Sequence, residues 1–419
     1  MNNKKENVSG IILLVVVILL GVKILPGAPI YFRMFSGLAI GYTLTRAALG
    51  FAGGPNRAYR SGSTKLFRGL LSMFFMSAIV FVGFQVLKEE SLVAPWVKPI
   101  NMGLIAGSAL FGFGMAFTSC CASGTLTDLA TELPKALITL VFFGLGNFLG
   151  MPMGAKEWVN KSWIESSAER NGVYFPDLFK NTPFGGYLGA IVITGALALF
   201  FAYLARKYEA RRKKENTYSQ VADEVNQEKA NLNLEEMSTY ERLLGRPWTL
   251  REGAFVFTII FGVLLAATNS GWGVSGPYGI WFGKLLKAFG MAPETIAKTA
   301  GGALENGQWT GNMAGIMGDF WASPIGVQNI NIILGTLIAL LTMGRFSDTF
   351  KAGLKISGKE ALTFVVGGFL MGYAVRLSSG CNAGGLFTPI ATLSLSGWIF
   401  LIFMTLGAVL GNKLRDKIL

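Results

Sequence analysis

The feature that leaves this chain least freedom is a series of apolar runs, each near the length an α-helix needs to cross a bilayer. "IILLVVVILLGVKIL" from residue 11 is typical. About 20 apolar residues cover the ~30 Å hydrocarbon core. Ten stretches meet or approach that length, at about 10–25, 30–49, 66–88, 101–119, 134–152, 184–206, 250–269, 328–345, 361–379 and 396–413. Lipid offers the backbone no hydrogen-bond partner, so runs of this kind must close their own bonds as helices. The expected fold is therefore all-α and polytopic, with about ten transmembrane helices in a lipid bilayer. The composition agrees, since 52% of the 419 residues are hydrophobic and only 15% are charged. Three cysteines cannot form a disulfide framework, and the lack of histidine removes the commonest metal ligand and catalytic base. An enzyme is not expected, nor a metal or cofactor.

The net charge of +13 could suggest nucleic acid, but the positions of the cations argue otherwise. Lys4 and Lys5, Arg57, Arg60 and Lys65, Arg211 to Lys214, Arg345 to Lys359, and Lys413 to Lys417 each follow an even number of spans. The positive-inside rule then puts all five clusters and both termini in the cytoplasm, with the loops 153–183 and 270–327 outside. The first run has no small-residue cleavage site behind it and reads as an anchor. The expected organisation is an anchoring helix at 1–29, a first membrane repeat at 30–152, an external loop and connecting helix at 153–206, a cytoplasmic linker at 207–249 and a second repeat at 250–419. The strongly polar linker reads as a connector, with a cytosolic helix as the alternative.

The case for a repeat rests on two short motifs. "FTSCCASGTLTDL" from 117 and "RLSSGCNAGGLFTPI" from 376 share Cys-x-x-Gly after a Ser/Thr run. Aligning Cys121 with Cys381 fixes an offset of 260, at which Gly107 meets Gly367, Gly112 meets Gly372, Ser119 meets Ser379, Gly124 meets Gly384 and Leu126 meets Leu386. A second pair joins "LGFAGGP" at 49–55 to "WGVSGP" at 272–277, with turn glycines Gly50, Gly53, Gly273 and Gly276. Each half thus runs span, glycine turn, span, span, Cys-x-x-Gly, span. Cys121 follows a span running inward and Cys381 one running outward, so the halves are inverted. Inverted repeats recur in transporters, with interrupted helices at the substrate site. The segments 124–133 and 384–394 are too short to cross and read as re-entrant.

A Cys-x-x-Gly turn that opens a half-helix offers backbone N–H groups to an anion. Thr118, Ser119, Ser123, Thr125, Ser378 and Ser379 add neutral hydroxyl donors, and a thiol is a polarisable neighbour for sulfur or selenium. A lone buried cysteine is usually a small apolar residue, but packing does not require the same atom at two inverted positions. Cys121, Gly124, Cys381 and Gly384 are accordingly the leading substrate-site candidates, joined by Ser119, Thr125, Ser379 and Asn382. Cys120 faces Gly380 in the alignment and has no counterpart. Arg376 has two readings, snorkelling to the interface or facing a polar cavity. Asp128 and Glu132 are placed at the cytoplasmic rim, and Arg57 and Arg60 are assigned to orientation.

At "GFAGGPNRAYRSGSTKLFRG" (50–69), "CASGTL" (121–126) and "RLSSGCNAGGLF" (376–387) the chain resembles the YeeE/YedE family of bacterial inner-membrane sulfur transport proteins, and more closely its YedE-like branch associated with selenium metabolism. The resemblance implies inverted repeats, short re-entrant helices and passage of thiosulfate or a related sulfur or selenium anion past pore cysteines, here Cys121 and Cys381. Many thiosulfate-transporting members carry a further cysteine at the first glycine turn, where this chain has Gly50. The other readings are a membrane thiol enzyme, or a membrane subunit docking a cytosolic sulfurtransferase through the linker.

Overall fold

A computed structural model describes residues 4–87, 93–232 and 234–418. Position 88 of the third predicted span and position 233 of the linker lie outside the described residues. Among those described, nine helices are long and apolar enough to cross a membrane. They include α1 (Lys4–Ile24), α4 (Lys65–Leu87), α8 (Tyr187–Lys214), α10 (Leu250–Thr268), α12 (Pro324–Thr342) and α15 (Leu395–Ile418). The remaining three contain α5 (Met102–Thr118), α7 (Leu133–Leu149) and α13 (Gly358–Leu377). The chain is an all-α, multi-pass membrane protein. The remaining predicted span, 30–49, also forms a helix, α2 (Ala28–Arg46), which buries Arg33 and Arg46 and is less apolar than the spanning stretches of the nine.

Local chemistry sets the helix starts. Asn101 caps α5 by accepting from the Leu104 N–H at 2.9 Å, and capping boxes Thr249/Glu252 and Ser357/Glu360 open α10 and α13. Within lipid there is no hydrophobic drive to bring helices together, so small residues that admit a neighbouring backbone decide the packing. Gly112 lies against the Met404 carbonyl, Gly407 against that of Ala109, and Gly41 against that of Ile332. A methyl group at any of these would collide with main chain.

The packing follows the two halves. Pairs α2 with α12 and α5 with α15 have counterparts α10 with α4 and α13 with α7. The equivalent helices α5 and α13 pack against each other and run antiparallel: Gly107 meets Leu377 and Ser378, while Gly114 meets Gly367 and Met371. The short helices α3 (Gly53–Ser61) and α11 (Gly276–Ala288) follow the corresponding glycine turns, and each leans on the last long helix of the other half, α3 on α15 and α11 on α7.

One face of the bundle gathers both chain ends. Glu6 accepts from the Phe346 N–H, the Asn412 amide donates to Asn56, and Arg212 donates to the Tyr59 carbonyl. The linker lies on the same face and is not a loose connector. Its helix α9 (Ala222–Leu232) buries Glu224, which accepts from Ser63 at 2.7 Å, and Gln227, which donates to the Ala47 carbonyl at 2.8 Å. Arg57 pairs with Asp223 at 2.9 Å and Tyr240 donates to the Thr342 carbonyl, so the segment is bound at several points. Charge run alone reads as solvated, yet here the acids of α9 find partners on α3 and α4.

Candidate functional site

The two cysteine turns have the same backbone. α5 stops at Thr118 because Ser119 adopts the left-handed conformation at φ 57°, and after α13 Ser379 does so at φ 54°. A left-handed non-glycine residue is costly and is kept where the fold demands a sharp turn. Two residues on, Cys121 (φ −114°, ψ −172°) and Cys381 (φ −102°, ψ −168°) are extended and start new helical segments. From Cys121 the chain forms α6 (Ala122–Asp128), and from Cys381 a π-type turn, Asn382–Phe387, that continues into α14 (Thr388–Ala391). The Cys121 carbonyl accepts from the Thr125 N–H at 2.8 Å and the Cys381 carbonyl from the Gly385 N–H at 2.6 Å.

All three thiols are free and buried. The Cys121 sulfur shares a hydrogen bond with the Ser123 hydroxyl (3.3 Å) and is reached by the backbone N–H groups of Gly124 and Ala52. A methyl group at Gly124 would stand 3.7 Å from that sulfur, an ordinary contact, and a tighter 3.1 Å from the Cys120 Cβ. Cys121 and Cys381 lie in the same buried core cluster. The Cys120 sulfur instead bonds Thr125 (3.4 Å). It has no counterpart for a steric reason: a Cβ on Gly380 would fall 2.6 Å from the Gly385 nitrogen.

The other predicted residues separate. Asn382 donates to the Met115 sulfur at 3.3 Å, and its buried Oδ1 has no hydrogen-bond partner among the described residues. Gly384 lies against the Trp96 ring and Gly273, which joins the second glycine turn to the second cysteine turn. Gly53 packs on Leu66, whereas Gly50 and Gly276 face open space. Ser119 accepts from Arg60 at 3.1 Å. Arg376 is turned away from its own turn: its Nε donates to the Asn147 Oδ1 at 2.9 Å and carbonyl at 3.2 Å, beside Gly150. Asp128 and Glu132 both take Lys135, at 3.4 and 2.6 Å.

Several residues of the site escaped sequence reasoning. Tyr278 is buried on α11 and donates to the carbonyl of Ala122, the residue after Cys121, at 2.5 Å. Superposing the two Gly-Pro turns would have found it, because Tyr278 follows Pro277 as Asn56 follows Pro55. Phe51, just ahead of α3, reaches the other way and touches Phe387 and Trp272. Each glycine turn therefore reaches both cysteine turns, Phe51 and Tyr278 making the contacts that cross between the halves. Trp96 covers Gly384 and Gly273, with the Lys98 ammonium 4.9 Å from its ring, and burial lowers the Lys98 pKa. Neither carries a motif that marks it.

This geometry can be set beside known proteins. A family model described as sulphur transport matches residues 46–410, a range that takes in both glycine turns and both cysteine turns. The chain belongs to that family. It is 24% identical over 343 residues to the thiosulfate transporter TsuA of Spirochaeta thermophila, covering 80% of this chain and 84% of that one. It is also 27% identical over 156 residues to the probable transporter YedE of Escherichia coli and, over the same length, to that of Salmonella typhimurium. Those two matches cover 37% of this chain and 34% of YedE, about a third of its length.

Proposed function

We propose that this member of the sulphur transport family carries a small anion of the thiosulfate type across a bacterial inner membrane, between Cys121 and Cys381. The observation that carries the reading is the pair of buried Cys-x-x-Gly turns with one backbone geometry on antiparallel helices. Conduction needs a site that replaces water yet lets the ion leave. Ser123, the N–H groups of Gly124 and Ala52, and the thiols are all neutral donors, and among the described residues no Lys or Arg bonds Cys121 or Cys381. The Nδ2 group of Asn382, which donates to the Met115 sulfur, is a further neutral donor beside Cys381. The anion is handed from one thiol to the other by hydrogen bonds to its terminal sulfur and oxygens. No covalent bond forms or breaks, and the short segments after each cysteine act as re-entrant helices.

In this reading the face bearing both termini is cytoplasmic, with Arg60 and Ser119 at the exit and Trp96 and Lys98 at the outer mouth. A cytosolic sulfurtransferase-like partner receiving the anion would meet the linker on that face. Uptake of radiolabelled thiosulfate into proteoliposomes tests the proposal. Cys121→Ala and Cys381→Ala are each expected to reduce uptake at least tenfold, and unchanged uptake in both would overturn the role of the thiols. Competition by selenosulfate as strong as by unlabelled thiosulfate would extend the substrate class to selenium.

A further inference from the structure

A cleft of about 850 Å³ opens between α4, α8 and α10 on the face that carries the termini. α4 packs against both neighbours and forms its floor. The walls are apolar, with Phe75 of α4, Ala198 and Ala202 of α8, and Leu250 of α10 among the lining residues. From Lys65 to Phe75 on α4, and from Arg206 back to Gly195 on α8, the cleft runs ten or eleven residues. At 1.5 Å per residue that is about 15 Å, half of the ~30 Å hydrocarbon core and so the depth of one leaflet.

The open end is basic. Lys65, Arg68, Arg206 and Arg251 line it together with Glu224, Glu228 and Glu252. Each carboxylate is already engaged: Glu224 with Ser63, Glu228 with Lys65, Glu252 with Arg246. Arg68 is held by Glu209 at 3.2 Å. Arg206 and Arg251 are exposed, and among the described residues neither has a carboxylate within 4.0 Å. Two uncompensated guanidinium groups thus crown an apolar slot one leaflet deep.

We propose that this cleft is a binding site for an anionic glycerophospholipid of the leaflet on the termini side. Its phosphate lies between Arg206 and Arg251, and an acyl chain runs down along Ala202, Ala198 and Phe75. Basic pockets between transmembrane helices recognise anionic head groups in this way. The lipid joins α8, which stands outside the repeat, to α10 of the second half.

Native mass spectrometry of the full-length protein in detergent, titrated with phosphatidylglycerol, phosphatidylethanolamine or inorganic phosphate, tests this. Phosphatidylglycerol is expected to bind more tightly than phosphatidylethanolamine, and Arg206→Ala and Arg251→Ala each to weaken it roughly fivefold. Ala202→Phe, which fills the slot and leaves both arginines, is expected to weaken it as well. Equal retention of the two lipids, binding unchanged in all three variants, or displacement of phosphatidylglycerol by inorganic phosphate at equal concentration would overturn the proposal. The last result would mean a free-anion site. Monodisperse elution and an unchanged melting temperature without lipid show that each variant is folded.

Discussion

The two cysteine turns share a backbone and differ in what surrounds them. Behind Cys121, α6 runs into Asp128, Glu132 and Lys135, a half-buried ionic knot. Behind Cys381 the equivalent segment carries no charge and drives Phe387 into the rings of Phe51, Phe74, Phe257, Phe261 and Trp272. At the 260 offset the residue facing Phe387 is Thr127, whose hydroxyl merely donates to the Gly124 carbonyl at 2.9 Å. The contrast teaches that the repeat preserves the turn itself, where Ser and Cys dihedrals match within about 12°, and frees the support behind it to diverge. One turn is braced by ions near a water-facing rim. The other is braced by aromatic packing.

The largest expected effect separates these two kinds of support. Phe387→Ala removes the ring at the centre of the cluster and should cost about 3–5 kcal/mol, while Thr127→Ala should cost below about 1 kcal/mol. Denaturation of the purified protein in mild detergent measures both, and similar losses would break the contrast. A smaller effect, about 3 kcal/mol, is expected for Lys135→Met, which leaves Asp128 facing Glu132 without a cation. Adding Asp128→Asn should recover most of the loss if charge is the brace; a double variant as weak as the single would assign Lys135 to packing. The smallest effect is expected at Gly50, where a side chain meets open space. Gly50→Cys should change stability by no more than about 0.5 kcal/mol. Its thiol should react with a membrane-impermeant maleimide applied from the termini side, well ahead of buried Cys121.

Much of this was legible in the chain. The spans could be read because lipid tolerates few alternatives to a long apolar helix. The paired turns could be read because Ser119, Cys121 and Gly124 recur at one fixed offset. Tyr278 is missed at that offset, because the glycine turns repeat at 222 and not 260, and because its partner, the Ala122 carbonyl, has no side-chain signature. The partners of Arg376 and Arg60 were hidden for a similar reason. A guanidinium's direction depends on which neighbouring helix offers an acceptor, here Asn147 for one and Ser119 for the other. The docking of the linker was hidden because Glu224 and Gln227 reach partners 161 and 180 residues away.

The interlocking of α5 with α15 has a biosynthetic consequence. The notch at Gly112 is filled by the Met404 carbonyl, and Gly407 and Gly411 receive Ala109 and Phe113 in return. A ribosome adding about 5–20 residues per second needs roughly 15–60 s to travel from the end of α5 to Gly411. Throughout that interval the first cysteine turn is in the membrane without the helix that seats it, and any factor that shields nascent membrane segments has its longest task there.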